Sequence, residues 1–245
     1  MSCTVAVLQS NYLPWKGYFD IIHDADLFIF YDDVQYTKND WRNRNKVKVN
    51  GGTAWITVPV GQALGRRICD VEIRDDRWQL KHWKTWQQYY GRTPHFGLCE
   101  SFLRETYLER RWMSLSDLNR HLIVEIARNF LGITAQFADS REFRLSGSRM
   151  GRLLSLLRAV GATRYVTGPA AAGYIESERF SEAGIDLVFK SYEGYPEYAQ
   201  QFPPFEHSVS VLDLVCNTGP AAPFYVWGWR TATDIPKPQA QRPST

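Results

Sequence analysis

Two short apolar segments near the start of the chain constrain its fold more than any other feature. Residues 5–8 are followed by Gln9, and residues 27–31 are followed by the acid pair Asp32 and Asp33. A loop punctuated by Pro and Gly and a short helical pattern lie between the two segments. Two buried strands joined by a helix form a parallel βαβ unit, and such sheets bind ligands outside the carboxyl ends of their strands. The sequence therefore predicts a site at these polar strand ends.

Length and composition favour one large folded unit. The chain has 245 residues, of which 44% are hydrophobic and 22% are charged, as is usual for soluble globular proteins. We predict an α/β fold with a parallel-sheet core, Rossmann-like or HUP-like, a β-hairpin and a helical insertion. The predicted domain spans residues 1–235, with a helical section at about 76–132. Residues 236–245 are polar and rich in Pro, which predicts a disordered tail.

The individual elements follow from periodicity and turn residues. The Asn50-Gly51 pair between residues 46–49 and 55–60 predicts a tight hairpin. Apolar residues at three- and four-residue steps predict the helices of the helical section, where Ser116 and Asn119 have the spacing of a helix cap. Further predicted strands are 4–9, 27–32, 69–73, 164–167 and 186–190, and further predicted helices are 17–25, 146–160, 174–183 and 208–216, the last capped by Ser208.

Charge and cysteine usage bear on compartment and partners. The formal net charge of +3 is small for a nucleic-acid-binding domain, which is usually strongly basic. The four cysteines form no CxxC pair and are expected to be reduced thiols. The first residues lack the pattern of a signal peptide, and no apolar run approaches the ~20 residues of a transmembrane helix. We expect a cytoplasmic protein without membrane contact. We expect it to bind nucleic acid only if its donor substrate is an aminoacyl-tRNA.

Residues 11–18 connect the first predicted strand to the first predicted helix. With Gly17 in the first helical turn, free backbone N–H groups at the sheet edge would make an anion site. The layout resembles that of nucleotidyltransferases and pantothenate synthetase, in which a His-x-Gly-His sequence stabilises a phosphoryl transition state. Here Pro14 or Trp15 and Tyr18 stand in place of those histidines. The resemblance therefore extends to shape and not to adenylyl transfer.

Charged residues after the second predicted strand are candidates for chemistry. Asp32 or Asp33 would be a general base or a hydrogen-bond acceptor, and at most one of them faces a given pocket because strand residues alternate in direction. The alternative is that they cap a turn. Arg42 and Arg44, with Asn43 opposite, either bind phosphate or carboxylate or form a solvated hairpin edge. One of these arginines could also pair with an aspartate and lower the pKa of its carboxyl.

The last third of the chain adds polar residues at a second strand end. A predicted strand ends in a Gly-Pro turn at Gly168, and Tyr174 follows. Ser210, Asp213 and Asn217 share one face of the last predicted helix, and that face belongs either to the site or to solvent. The five histidines have no metal-ligand spacing, and the chain contains no P-loop, GxGxxG or GxSxG motif. The sequence therefore predicts no metal, no cofactor and no covalent nucleophile.

Longer motifs run through most of the chain. They are Q-S-N-Y-L-P-W-K-G-Y-F (residues 9–19), Y-D-D-V-Q-Y (31–36), W-R-N-R-N (41–45), W-I-T-V-P (55–59), Y-V-T-G (165–168), Y-A-Q (198–200) and S-V-L-D-L-V-C-N-T-G (210–219). With these motifs the chain resembles the WbqC-like family, whose members recur in gene clusters for surface polysaccharide (O-antigen). The resemblance spans about residues 5–219. Ser10 stands where the family usually has Pro, which relaxes the loop and removes no functional group.

The resemblance implies a place in sugar-nucleotide or glycan tailoring, because some members are described as glycine transferases that attach an aminoacyl group to an amino sugar. The leading hypothesis is a transferase that acylates an amino-sugar nucleotide from an aminoacyl or acyl donor, free or carrier-bound. Its rivals are a nucleotidyltransferase-like, ATP-dependent ligase and a non-catalytic sugar-nucleotide-binding protein. The predicted catalytic residues are Asp32 and Asp33. The predicted substrate-binding residues are Gln9, Tyr12, Gly17, Tyr18, Gln35, Arg42, Asn43, Arg44, Gly168, Tyr174, Tyr198, Asp213 and Asn217.

Overall fold

The structure, a computed structural model, describes residues 2–61, 65–145, 147 and 149–230. These residues form one five-stranded sheet and one two-stranded hairpin. The strands are β1 (Thr4–Leu8), β2 (Leu27–Phe30), β3 (Arg44–Val49), β4 (Gly52–Thr57), β5 (Gln136–Asp139), β6 (Arg164–Thr167) and β7 (Asp186–Phe189).

All strands of the larger sheet are parallel, in the order β5-β2-β1-β6-β7. From β1 the chain adds β2 and then β5 toward one edge of the sheet. It then adds β6 beside β1 and finally β7 at the other edge. The order therefore reverses between β1 and β6, and ligands of such sheets bind at this switch point, outside the carboxyl ends of the strands. The predicted α/β class, with a parallel core and a separate hairpin, is confirmed.

Helices cover the sheet on both faces. They are α1 (Lys16–His23), α2 (Arg77–Tyr90), α3 (Phe96–Arg104), α4 (Leu115–Glu125), α5 (Met150–Ala159), α6 (Ser177–Glu182) and α7 (Val211–Thr218). Short 3-10 helices span Ile68–Asp70, Ser140–Glu142, Pro169–Gly173 and Gly219–Tyr225, and π-helical turns span Glu105–Glu109 and Ile126–Phe130. None of the helices in the described ranges combines the length and the apolar character needed to cross a membrane.

Two hydrophobic cores lie on opposite faces of the sheet. In β1, Ala6 belongs to the larger core, whereas Val5 and Val7 belong to the smaller one, as alternation along a strand requires. The larger core also takes side chains from α1, α2, α3, α4 and α7. The smaller core contains Leu157 of α5 and Phe180 of α6. The helical section and α7 therefore share one face with α1, and α5 and α6 cover the other.

The hairpin lies beside the sheet and is tied to the loop after β1. Its turn is the predicted Asn50-Gly51 pair, since Val49 pairs with Gly52 across the two strands and Gly51 has a φ of +76°. Asn45 is buried and its side-chain amide donates to the backbone carbonyl of Leu13 (2.6 Å). The hairpin was predicted, but its strands begin earlier than the sequence indicated.

Two strand predictions need correction. The predicted strand at residues 69–73 is instead the 3-10 turn Ile68–Asp70, followed by one isolated bridge from Glu72 to Ser114. The turn is fixed by its backbone, because the Cys69 N–H donates to the Asp32 carbonyl (2.9 Å). Strand β5 was not predicted at all, although it pairs with β2 along its whole length.

Several helix boundaries also differ from prediction. Helix α4 is capped by Ser114, whose hydroxyl accepts from the Asp117 N–H (3.2 Å), and not by Ser116. Helix α7 is capped by Ser210 and not by Ser208. The predicted helices at 146–160 and 174–183 are shorter in the structure. Ser146, Ser148 and the predicted tail at 236–245 lie outside the described residues.

Candidate functional site

The carboxyl edge of the sheet gathers most of the predicted polar residues. Gln9 follows β1, Asp32 and Asp33 come shortly after β2, and Ser140 follows β5. Because β5, β2 and β1 are neighbours in the sheet, these strand ends lie side by side. The loop that begins at Gln9 also adjoins the switch point between β1 and β6. A ligand at this edge would therefore meet residues from several distant parts of the sequence.

Asp32 is fully buried and holds the edge together. Its carboxylate accepts from the Ser10 backbone N–H (2.8 Å) and from the hydroxyl of Ser116 on α4. Burial raises the pKa of the Asp32 carboxyl, and these two donors oppose that rise. The side chain thus connects the ends of β1 and β2 to α4, and it has no open path to a ligand.

Asp33 points in the other direction, as alternation predicted. Its carboxylate accepts from the Ser140 hydroxyl (2.7 Å) and forms an ion pair with Arg152 of α5. The side chain retains 7% of its exposure, against none for Asp32. The prediction that Arg42 or Arg44 pairs with this acid pair is wrong, because Arg152 fills that position. Asp33 is therefore the member of the pair that stands at the ligand edge.

The Arg42 side chain is held by residues of the loop after β1. Its guanidinium donates to the side-chain carbonyls of Gln9 and of Asn11 (2.5 Å), and Asp40 lies 3.7 Å away. The side chain is 15% exposed, and its buried Nε has no partner among the described residues. The two amides are neutral, and the Asp40 carboxylate forms an ion pair with this guanidinium at a distance beyond that of a hydrogen bond. Arg42 therefore remains available to bind an anion.

Further arginines line the same edge. Arg141 binds Asp139, at the end of β5, through a bidentate contact that includes a 2.7 Å hydrogen bond. Arg67 forms an ion pair with Asp70 (2.7 Å) in the turn that contains Cys69. Burial raises the pKa of the Cys69 thiol, and Arg67 and Arg141 oppose that rise. Arg42, Arg67, Arg141 and Arg152 thus line this edge, each within 4 Å of a carboxylate, and their guanidiniums are groups that suit phosphate or carboxylate ligands.

Tyr12 and Asn43 contribute to the site through packing. Tyr12 is fully buried, and its hydroxyl lies 2.8 Å from Nδ1 of His82 and 2.5 Å from the Tyr107 hydroxyl. Asn43 is also buried; it accepts from the Tyr36 hydroxyl (2.9 Å) and donates to a backbone carbonyl of the segment after β4. Both residues have internal partners, so they position Arg42 and its loop and do not face a ligand.

The buried imidazole of His82 gives this network a pH dependence. Burial lowers the pKa of His82 to about 3, whereas the unfolded chain titrates near 6.5. Between these values the unfolded state binds the extra proton, so this contribution to stability is present above about pH 6.5 and is lost on acidification. In the wild type, protonation of the unfolded chain at this histidine lowers the unfolding free energy by up to about 1.4 kcal/mol per pH unit between about pH 6 and 4. We expect this contribution to the pH slope to be absent in His82→Gln.

The measurement is urea unfolding at several pH values between 7 and 4, compared between the wild type and His82→Gln. His23→Gln is the matched control, because the His23 side chain is 39% exposed. Equal pH slopes for the wild type and His82→Gln would contradict a neutral, buried His82.

Tyr198, Asp213 and Asn217 form a second polar cluster under α7. Asp213 is fully buried and accepts from the hydroxyls of Tyr90 (2.9 Å) and Tyr198 (2.7 Å) and from the Gln200 amide (2.8 Å). Burial raises the pKa of the Asp213 carboxyl and the three donors oppose it. The Asn217 amide donates back to the Asp213 carbonyl (2.7 Å). The polar face of α7 thus belongs to the interior and not to solvent.

The remaining predicted residues are spread around the edge. Tyr18 is buried and donates to the Gln9 carbonyl (3.0 Å). A Cβ atom at Gly17 would lie 2.3 Å from the Trp15 ring, so the glycine lets the indole pack against the first turn of α1. A Cβ atom at Gly168 would lie 3.0 Å from the Tyr192 hydroxyl, which explains the glycine after β6. The last two predicted residues are exposed. Gln35 forms an isolated backbone bridge with Arg67, and Tyr174 is 71% exposed.

Lys16 was not predicted as a site residue. It is 3% exposed at the start of α1, and its Nζ donates to the Pro196 carbonyl (3.3 Å) over the rings of Tyr195 and Tyr198. Burial lowers the pKa of Lys16 to about 8, although the Asp20 carboxylate opposes this. A lysine with this pKa exchanges its proton close to neutral pH. The only signal in the sequence was a lone cation within an aromatic segment.

Sequence reasoning also missed several residues that complete the edge. Ser116 and Asn119 were assigned to a cap, yet Ser116 binds Asp32 and the Asn119 amide donates to the Arg42 carbonyl (2.8 Å). Ser140 follows a strand that was not predicted, and Arg152 was not assigned to the site. Each of these residues lies 77 or more positions from its partner along the chain, so local patterns gave no sign of the pairing.

Comparison with known proteins bears directly on the family. Residues 9–224 match the WbqC-like protein family. A protein of Mycobacterium tuberculosis (strain ATCC 25618 / H37Rv), named Uncharacterized protein Rv1507c, is 43% identical over 225 residues, which are 91% of this chain and 96% of that protein. No solved structure gives a significant match. The family match includes Gln9, both aspartates, Arg42 and α7, and on this evidence the chain belongs to the WbqC-like protein family.

Proposed function

We propose that this protein is a transferase that acylates the amine of an amino-sugar nucleotide at the carboxyl edge of its sheet. The observation that carries the proposal is the position of Arg42. Its guanidinium is fixed by Gln9 and Asn11 beside the switch point of the parallel sheet, with its charge not neutralised by those amides. Small molecules with phosphate groups are the ligands that such sheets commonly bind at this place.

The phosphates of the nucleotide would lie against the arginines of this edge. Arg42 contributes a guanidinium that is already ordered, so binding a diphosphate costs little side-chain entropy. Arg67 and Arg141 would add guanidinium donors near the ends of β2 and β5, beside their partners Asp70 and Asp139. The sugar would then extend from the diphosphate toward Asp33, the aspartate that retains exposure at this edge.

The reaction joins an amine to an activated acyl group. The neutral amine nitrogen of the sugar attacks the carbonyl carbon of a thioester or aminoacyl ester, a C–N bond forms, and the C–S or C–O bond breaks. The thiol or alcohol leaves with the electron pair of that bond and takes up a proton. Before the attack, the ammonium form of the sugar amine loses one proton to a base, for which Asp33 is the candidate. The second proton, lost from nitrogen as the amide forms, is the one that the leaving group takes up. This direct attack needs neither a cofactor nor a covalent enzyme intermediate.

Membership of the WbqC-like family supports glycan tailoring as the context. The partners we propose are a small-molecule sugar nucleotide, such as an O-antigen precursor, and an aminoacyl or acyl donor, for which glycine is one candidate. The donor is free or carrier-bound, and a nucleic acid takes part only if it is aminoacyl-tRNA. We place this reaction in the cytoplasm, without contact with the membrane.

Removal of the Arg42 guanidinium is expected to weaken nucleotide binding strongly. Hydrogen bonds to charged groups contribute about 1.5–3 kcal/mol, so Arg42→Ala should raise the Kd of a UDP-amino sugar about 10- to 150-fold. The measurement is a thermal-shift panel of sugar nucleotides, followed by calorimetric titration of the best ligand. A ligand at a hundred times its Kd adds about 2.7 kcal/mol of stability to the wild type.

Arg77→Ala is the matched control, because it removes the same charge from a side chain that is 89% exposed on α2. Equal affinity for the two variants would contradict the phosphate assignment. A wild-type shift with ATP alone, together with release of pyrophosphate, would favour the ligase. Binding of the sugar nucleotide without product from any acyl donor would favour the non-catalytic binding protein.

A further inference from the structure

The outer face of the hairpin carries two exposed tryptophans beside two cations. Trp55 of β4 lies opposite Lys46 of β3 in the strand register, and Arg44 lies two residues before Lys46 on the same face. Trp41, just before β3, packs against Trp55 with ring centroids 5.3 Å apart and an interplanar angle of 40°. We call these four residues the tryptophan platform. It is built from both strands of one hairpin, so its geometry is fixed by their pairing.

Both rings remain unusually accessible. Trp41 is 40% exposed and Trp55 is 46% exposed, whereas Trp78, Trp83 and Trp86 lie in the core. Arg44 places its guanidinium 4.3 Å from the Trp55 ring centroid, and the Lys46 ammonium lies 5.5 Å away. Leaving large aromatic surface in water is unfavourable, and exposed aromatic groups rimmed by polar residues mark binding sites. The two cations lie beside the Trp55 ring, whereas the Asp40 carboxylate accepts from the Trp41 backbone N–H (2.7 Å). The Trp55 side of the platform therefore suits an aromatic group that carries negative charge.

The platform continues directly into the arginine site. The Trp41 N–H donates to the Asp40 carboxylate (2.7 Å), and that carboxylate lies 3.7 Å from the Arg42 guanidinium. The Arg44 guanidinium also donates to the Asn39 carbonyl, which holds the loop before Trp41 against the hairpin. An aromatic group stacked on Trp41 or Trp55 would therefore have its attached phosphates near Arg42. A nucleoside diphosphate is a chemical class that combines a planar base with phosphates.

We infer that the tryptophan platform stacks the nucleobase of the sugar nucleotide while Arg42 holds its phosphates. This inference rests on the proposed function, because it names the part of the same substrate that the hairpin binds. Aromatic side chains stack on every base, and neighbouring arginines add cation–π attraction. The arrangement leaves the sugar end of the nucleotide pointing along the sheet edge toward Asp33.

The test compares ligands that contain or lack the base. UDP, UDP-glucose and glucose 1-phosphate are titrated by calorimetry, and the dTDP, GDP and ADP pairs are run in parallel. Trp41→Ala and Trp55→Ala should each weaken UDP and UDP-glucose about 5- to 150-fold, the range that base–aromatic stacking gives on alanine substitution. Glucose 1-phosphate should bind these variants as it binds the wild type. Trp55→Phe should keep most of the affinity, because it retains a ring.

Three other results would each overturn the inference. If UDP binds both alanine variants as it binds the wild type while Arg42→Ala loses it, the base does not stack on the platform, and the proposed function stands. If the alanine variants lose glucose 1-phosphate instead of UDP, the rings stack on the sugar. If the wild type binds no nucleotide of the panel, the inference and the proposed function both fail. Circular dichroism checks that each variant is folded, which is expected because both rings are exposed.

Discussion

Replacement of Asp20 by alanine is expected to lower the free energy of unfolding by about 3–5 kcal/mol, as removal of one partner from a buried ion pair does. Asp20 on α1 is fully buried and binds two cations: Lys190 after β7 (2.8 Å) and Arg230 through two hydrogen bonds (2.8 and 2.6 Å). The Tyr195 hydroxyl donates to the same carboxylate (2.5 Å). Without Asp20, Lys190 and Arg230 would stay largely buried with too few partners.

Asp24→Ala is the matched control for this prediction, measured by urea unfolding under the same conditions. Asp24 contacts the same Lys190 ammonium, but its side chain is 32% exposed, so its loss should cost about 1 kcal/mol or less. The comparison thus keeps the cation and changes only the burial of the carboxylate. Equal losses for the two variants would contradict the central position of Asp20. Asp20→Asn should be intermediate, because it keeps an acceptor for Tyr195 and loses the charge.

The part of the fold that the sequence predicts is the part set by local patterns. Two apolar runs that end in polar residues, with a helical pattern between them, predicted β1, α1 and β2. The Asn50-Gly51 pair predicted the hairpin turn. Strand β5 was missed because its four residues, Gln136–Asp139, show little of the apolar run expected of a buried strand. It is held in the sheet by pairing with β2, more than 100 residues away in the sequence. Such pairing is a tertiary effect that no short window contains.

The sequence predicted where the polar residues of the candidate site lie but not which of them contact each other. The sequence correctly placed polar residues at the ends of β1 and β2, since ligand edges follow from sheet topology. It could not show that Ser116 binds Asp32 or that Arg152 binds Asp33, because α4 and α5 reach these aspartates only in the folded chain. Ser116 fits the local pattern of a cap equally well, and only burial decides between the two roles.

Asp33→Asn is expected to lower the rate of acyl transfer about 10²- to 10⁴-fold, the usual contribution of a positioned general base. Asparagine keeps the shape of the side chain and can still accept from the Ser140 hydroxyl. It cannot take up the proton that the sugar ammonium must lose before the amine attacks. The Kd of the amino-sugar nucleotide should change much less than the rate. The assay mixes a UDP-amino sugar with acyl-CoA or aminoacyl-tRNA donors and measures the amide product by mass spectrometry.

The variant Asp32→Asn, measured beside Asp33→Asn, distinguishes a structural role of the aspartate from a catalytic one. Asp32 accepts from Ser10 and Ser116 in full burial, and its carboxyl has a raised pKa because of that burial. Its loss should therefore appear as lower stability, with the rate per folded molecule largely retained. If Asp33→Asn keeps the wild-type rate while Lys16→Met loses it, the proton acceptor is Lys16, whose pKa of about 8 already suits that role. If Asp32→Asn alone abolishes the rate in folded protein, the buried carboxylate and not Asp33 carries the chemistry, and the edge must open before the substrate reacts.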